Sequence, residues 1–480
     1  MQIEGGATVS VAFPSRSLGG APRSNLRFSI FNFQFSIVVP VTCHPSPVTW
    51  IGNKRSWLSV LMALLALVAA SGCTRAPGGK TVFRYSGPGY KLYDKFRYDQ
   101  GMGFAALHPE WRLDVRYETV TGTRYPDKIV TMAVAKQSPD VFIVYGASAA
   151  LNWGKRGILL DLKPFIEADG GEAIKDVNPL LVDDYTVDGK IYALPGNCNV
   201  SALYYNKKCF DDAGLPYPDD TWTWETLLAT ARKLTKRDAS GRAEQYGLIG
   251  AQGLWRDFLK QNNGDLWSKD KTQCLITRPE AVETFQFLRD LMLEHRVTPS
   301  QAETLQERGQ ESFMAGRGAM FLGGRWYTSF FLTSKTLDWH VAPLPKGKRR
   351  ATAIASMSWG AWAHTPNPQV AYEFVKYMTR EEAIKYLFDI GDALPTRNTA
   401  ETREYMLNEA GRPKGENQAY VDAFGYAYSL KDFIHPKINQ DEQDKILTEE
   451  LEKIWLGLVD VPTGLRGIEK RLMREVEKGG

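Results

Sequence analysis

The run PDVFIVYG at residues 139–146 is apolar at nearly every position after Asp140, and it is too short for a buried helix. Such a run suits a strand covered on both faces, the situation of a parallel sheet wrapped by helices. Its surroundings repeat the theme. TVFRY at 81–85 and RLDVRYE at 112–118 read as strands, the first ending in the turn signal Ser86-Gly87-Pro88-Gly89. Helical patterns are predicted up to about residue 106 and over 126–136. Strands alternating with helices imply an α/β fold. Further on, SALYYN at 201–206 reads as a strand, and helices are predicted over 224–236, 279–295 and 441–458. Thr223 is placed to cap the first of these, with Glu225 in the first turn, where the helix dipole favours an anion. In the last, Leu447, Leu451, Ile454 and Leu458 share one face, and Pro462 and Gly464 read as breakers before a final short helix.

An apolar stretch of about 14 residues at 57–70 falls short of the roughly 20 needed to cross a bilayer. Lys54 and Arg55 precede it and Ala70, Ser71 and Gly72 follow, which is the order of a secretory signal. The small residues end on Cys73, and Ala70-Ser71-Gly72-Cys73 resembles the bacterial lipobox. That resemblance implies that Cys73 is lipidated, becomes the mature N-terminus and holds the protein to a membrane. A signal belongs near the start of a chain, so roughly the first 50 residues are expected to be an over-extended reading of the gene. The expected division is 1–72 for leader and signal and 73–80 for a tether.

About 400 residues remain, more than one core usually organises, so two lobes are expected. The composition, 43% hydrophobic and 24% charged, is that of a globular protein. A net charge of +4 gives no footprint for nucleic acid, and the basic KGKRR at 346–350 reads as a solvated loop. Of five cysteines, Cys43 falls in the leader and Cys73 carries the lipid. For Cys198, Cys209 and Cys274, a bridge between the first two and three buried thiols both remain open. No C-x-x-C or H-E-x-x-H is present and the six histidines stand singly, so no metal or other cofactor is expected.

Five blocks in order carry a more specific signal: PDVFIVYGASAALNWGKRGILLDLKPFI (139–166), YALPGNCNVSALYYNKKCFDDAGLPYPDDTWTWETLLATARKLT (192–235), FMAGRGAMFLGGRW (313–326), WHVAPLPKG (339–347) and ALPTR (393–397). Together they resemble the bacterial extracellular solute-binding proteins of family 1, the group of maltose-binding-protein-like sugar receptors of ABC transporters. The resemblance implies a two-lobed periplasmic-binding-protein-like clamp of type II, each lobe a mixed or parallel sheet flanked by helices. It also implies three interlobe crossings, near residues 195–200, 355–359 and 394–398. The lobes would then be 81–195 plus 355–395 and 200–350 plus 400–480. The implied function is capture of a carbohydrate in the interlobe cleft of a monomeric, lipid-anchored, extracytoplasmic protein, periplasmic or on the outer surface, and delivery to an ABC permease. Its ATPase would be a separate chain, since no phosphate loop is present.

Sugars present apolar C–H faces and fans of hydroxyls, so their sites combine aromatic rings with amides and carboxylates. Among 13 Trp and 21 Tyr, the blocks imply Trp359 as the first stacking ring, then Trp326 and Trp255. Asn197 and Asn199 flank the first crossing. Tyr145 and Gly146 end one strand, and Ser86 and Tyr90 follow another, where ligands of open α/β sheets collect. Trp153, Trp222 and Trp224 read as structural. Adjacent Tyr204 and Tyr205 raise a ferric-iron site, but strand alternation would turn them to opposite faces. Two rival functions stand beside capture for transport: the binding component of a sensory system, and a secreted carbohydrate-active enzyme, for which no paired carboxylates or Gly-x-Ser-x-Gly elbow is evident.

Overall fold

In the computed structural model, which describes residues 24–30, 33–39, 79–89, 91–120, 125–408 and 415–479, the run at 139–146 forms a strand whose first four residues are buried. The chain divides into two units, Met1–Thr74 and Arg75–Gly480. In the first unit β1 (Ser24–Ile30) and β2 (Phe33–Val39) form an antiparallel hairpin. The signal-like run at 57–70, Cys73 and Tyr90 lie outside the described residues.

The principal strands of the second unit are β3 (Thr81–Pro88), β4 (Leu113–Val120), β5 (Val141–Tyr145), β6 (Leu194–Pro195), β7 (Asn199–Asn206), β8 (Met320–Gly324), β9 (Trp339–Ala342), β10 (Thr352–Ala355), β11 (Met357–Ala361) and β12 (Ala427–Ser429). They form two five-stranded sheets. The first runs β4-β3-β5-β11-β6, parallel at β3 with β4 and β5, antiparallel at β11. The second runs β8-β7-β10-β12, with β9 also paired to β7; β7 is antiparallel to its neighbours, and β10 and β12 are parallel. This is the α/β, mixed-sheet, two-lobed architecture expected.

Alternation along β7 explains how the second lobe builds its core. Leu203 and Tyr205 join the cluster around Phe210, Trp222, Trp224 and Leu227, whereas Ala202 and Tyr204 join the one around Phe321, Phe331 and Trp339. Tyr204 and Tyr205 therefore point to opposite faces. The first lobe closes around Phe83, Val141 to Val144, Trp153 and Phe374.

The chain passes between sheets where β6 gives way to β7, at residues 196–198, and where β10 gives way to β11, at Ser356. A third passage lies beside the first, where Leu394 and Cys198 exchange backbone hydrogen bonds of 2.7 and 3.0 Å. Ladder pairs stand on both sides of Ser356: Ala355 opposite Asn199 in the second sheet, and Ser358 opposite Pro195 in the first.

Two local expectations are corrected. The turn foreseen at 86–89 is the continuation of β3, since Ser86, Gly87 and Pro88 pair in parallel with Glu118, Thr119 and Val120. There β5 reaches β3 only at Tyr85 and Ser86, so no second ladder needs the N–H that Pro88 lacks. Pro462 and Gly464 do not precede a short helix but lie in an 18-residue one, Val461–Lys478: Asp460 caps it, and Pro462 occupies its first turn. A Cβ on Gly464 would lie 2.5 Å from Ile454, so this glycine lets the last two long helices approach. The KGKRR segment is a solvated loop as expected, with Lys348 and Arg349 exposed, and it is also fastened at two points. Arg349 Nε donates to the Lys260 carbonyl at 2.8 Å, and Lys348 pairs with Glu283 at 2.9 Å. Cys198, Cys209 and Cys274 are free and buried, and burial pushes the Cys274 thiol up to about 12.

Candidate functional site

Two of the tryptophans singled out in the sequence line one cavity in the second lobe, of about 820 Å³. Its floor begins at Gly250, whose φ of +90° places it in the left-handed region; a Cβ there would sit 2.4 Å from the Leu322 carbonyl oxygen of β8. A short turn, Ala251–Leu254, then delivers Trp255 at the start of the helix Trp255–Gln261. Trp255 is 7% exposed, with its ring 5.6 Å from Phe285 and perpendicular to Phe433 at 5.7 Å. The Arg256 guanidinium lies 4.4 Å from the centre of that ring and reaches Asp444 at 3.3 Å. An aromatic plane is thus flanked by a fixed donor fork and its carboxylate.

Trp326 stands on the other side, after β8. It is 39% exposed, more than any other described tryptophan, and its ring lies 5.6 Å from Tyr327. A Cβ on Gly324 would fall 2.0 Å from the ring, so the glycine before it permits the indole to fold back. Two helices supply polar walls. Gln301–Gln306 brings Glu303, held by the Ser300 capping box and by the Tyr246 hydroxyl at 2.6 Å. Burial alone would push the Glu303 carboxyl up, but the bonds from Ser300 and Tyr246 outweigh it and hold the group below the usual carboxylate range. Gln440–Trp455 brings Asp444, Thr448 and Glu452, one turn apart along one face.

The other residues singled out are not in this cavity. Trp359 is 6% exposed in the first lobe's core, 6.5 Å from Tyr85, and borders a separate space of about 20 Å³ with Gly196, Tyr93 and Arg97, too small for a sugar ring. Asn197 accepts from the Met357 N–H at 2.8 Å, so it fastens two crossings together. The buried Asn199 Oδ1 and Ser86 Oγ have no hydrogen-bond partner among the described residues. The Ser86 carbonyl accepts from Tyr125, whose hydroxyl also accepts from the Ile143 N–H at 2.9 Å and whose ring meets Tyr145 edge-on. Gly146, at φ +66°, donates to the Tyr185 hydroxyl at 3.2 Å, and Tyr185 donates to the Ser356 carbonyl at 2.7 Å. The ends of β3 and β5 are thereby linked to one another, and β5 to the second crossing.

Sequence reasoning missed Arg256, Asp444 and Tyr327. Arg256 and Tyr327 each follow a chosen tryptophan directly and adjacency could have found them. Asp444 lies far along the chain on a helix read only for its apolar face. Among the described residues no cluster of His, Cys, Asp and Glu could hold a metal ion, and no helix is long and apolar enough to cross a membrane.

The family model for bacterial extracellular solute-binding proteins matches residues 89–385, more than half of the sequence. The chain belongs to this family. Among its relatives, the maltodextrin-binding protein MdxE of Bacillus subtilis (strain 168) is 26% identical over 299 residues, 59% of this chain and 64% of that protein. The arabinooligosaccharide-binding protein of the same organism is 23% identical over 397 residues, 78% of this chain and 88% of that protein. The match to MdxE thus spans just under two thirds of its length. Among solved structures, an ABC substrate-binding protein of Listeria monocytogenes in complex with cycloalternan superposes with a TM-score of 0.73 at 24% identity, covering 82% of this chain and 98% of that one. Maltose-bound MalE3 of T. maritima gives 0.66 at 21% identity, with coverage of 82% and 99%. These likenesses establish the fold of this solute-binding protein, and the family is extracytoplasmic.

Proposed function

We propose that this solute-binding protein captures an oligosaccharide without converting it and hands it to an ABC import permease, while the lipid on Cys73 keeps it at the membrane. The observation that carries the reading is the pairing, in one cavity, of a half-exposed Trp326 with Trp255, Arg256 and Asp444. Trp326 offers a flat face for the C–H side of a sugar ring. Arg256, Asp444 and the Gln252 amide beside them suit its hydroxyls. The volume suits several sugar units rather than one. Relatives named for maltodextrin and arabinooligosaccharide support the class of ligand.

In this reading Trp359, Asn197, Asn199, Tyr145, Gly146 and Ser86 belong to the first lobe's half of the grip or to the crossings, and closure brings the halves together over the solute. The test is a thermal-shift and calorimetric panel of neutral di- to tetrasaccharides, followed by mass analysis of the recovered ligand. Saturable stabilisation with intact sugar recovered is expected. Hydrolysed sugar would favour an enzyme, and no stabilisation by any carbohydrate would defeat the reading.

A further inference from the structure

The charged side chains lining the cavity are unequally divided: Glu303, Glu307, Asp444 and Glu452 against Arg256. Ion pairs account for part of the imbalance. Asp444 is taken by Arg256, and Glu307 by Arg317 from outside the cavity. Glu303 is hydrogen-bonded by neutral hydroxyls and the capping N–H; the Arg237 guanidinium helps to keep it ionised from nearby without forming an ion pair with it. Glu452 is exposed and forms no ion pair among the described residues. Each of two helices therefore presents to a cavity floored by tryptophan one carboxylate that no ion pair among the described residues takes up. Resting on the carbohydrate reading, we propose that this site selects basic oligosaccharides, those carrying protonated amines, with Glu303 and Glu452 as the charge-selecting residues and acidic sugars turned away.

The physical reason lies in the geometry of the cavity. Apolar walls of Trp255, Leu447 and Leu451 lower the local screening between the two carboxylates and any charge on the guest. An ammonium group on a sugar stacked at Trp326 meets attraction from either wall. A phosphate or uronate would meet repulsion at both, and Arg256, already joined to Asp444, offers it little relief. Discrimination thus comes from rejecting anions as much as from attracting cations.

Calorimetry at pH 6 with three trimers tests this: glucosamine with free amines, N-acetylglucosamine, and galacturonate. The amine form is expected to bind about tenfold more tightly than the N-acetylated form, with the galacturonate form weakest, and the spread should shrink as salt rises. In Glu452→Gln, and in Glu303→Gln, which retains a capping-box side chain, the amine-to-uronate ratio should fall severalfold. Equal binding of the three, or preference for galacturonate, overturns the charge selection while leaving a carbohydrate site. If neither these trimers nor the neutral panel above bind, the carbohydrate reading fails and this inference with it.

Discussion

The Ser429 hydroxyl donates to the buried carboxyl of Asp184, joining the end of β12 to the helix Pro179–Asp184 that precedes β6. Burial is the main reason that this carboxyl is pushed up to about 7, with the Ser429 bond opposing the shift. Beside it, Lys431 pairs with Asp183 at 3.0 Å. A raised folded-state value means that the folded protein holds its proton while the unfolded chain has lost it. The stability linked to Asp184 is complete below about pH 4 and is lost as pH climbs towards 7. The loss is at most about 4 kcal/mol. Urea melts at pH 5 and pH 8 are expected to differ less in Asp184→Asn than in the wild type, and an unchanged slope would show that another group governs it.

Trp326 and Trp255 share a cavity but differ in how they are held. Trp326→Ala removes a ring that is 39% exposed, so thermal stability should change little while ligand affinity falls about tenfold. Trp255→Ala empties a site packed by Phe285 and Phe433 and should cost about 3 to 5 kcal/mol of folding stability as well. Paired melting and binding curves separate the two outcomes.

Gly250 is expected to tolerate no side chain. In Gly250→Ala the new carbon would meet the Leu322 carbonyl at 2.4 Å in a left-handed backbone, so β8 or the turn 251–254 must shift. Destabilisation of about 1 to 3 kcal/mol is expected from the strained backbone, together with weaker binding, because Trp255 and Trp326 are both carried by those segments. A variant with wild-type melting and affinity would count against this turn as the element that sets the floor.

The proposed anchor is tested by Cys73→Ser expressed in a bacterial host with its own signal. The variant should move from the membrane fraction to the soluble one, as immunoblotting of both fractions would reveal. Continued sedimentation with membranes would refute lipidation at this residue.

What could be read from the sequence follows from how local each signal is. The buried strand at 139–146 and the cap at Thr223, which accepts from the Thr226 N–H at 3.3 Å, depend on a few neighbouring residues and were readable directly. Trp255 and Trp326 could be chosen because glycines or a recognisable block stand beside them. Trp359 also stands beside a glycine, but its surroundings come from β3, β5 and the helix starting at Lys91, so its burial depends on pairings remote in sequence. Asp444 carries no local mark; it meets Arg256 only through tertiary packing, across a sequence separation of 188 residues. Pro462 shows the limit of residue type alone, since the same ring that ends one helix can begin the next.

The ladder pairs on both sides of Ser356 have a mechanical consequence. Two straps bonded to each other almost up to the bend, with the third passage bonded to the first at Leu394, resist twisting and sideways shear, so what remains is rocking about one axis, set by the few torsions at 196–198, at Ser356 and beside Leu394. A receptor built this way samples few half-shut shapes, and any membrane machinery that reads its outline meets an almost binary signal.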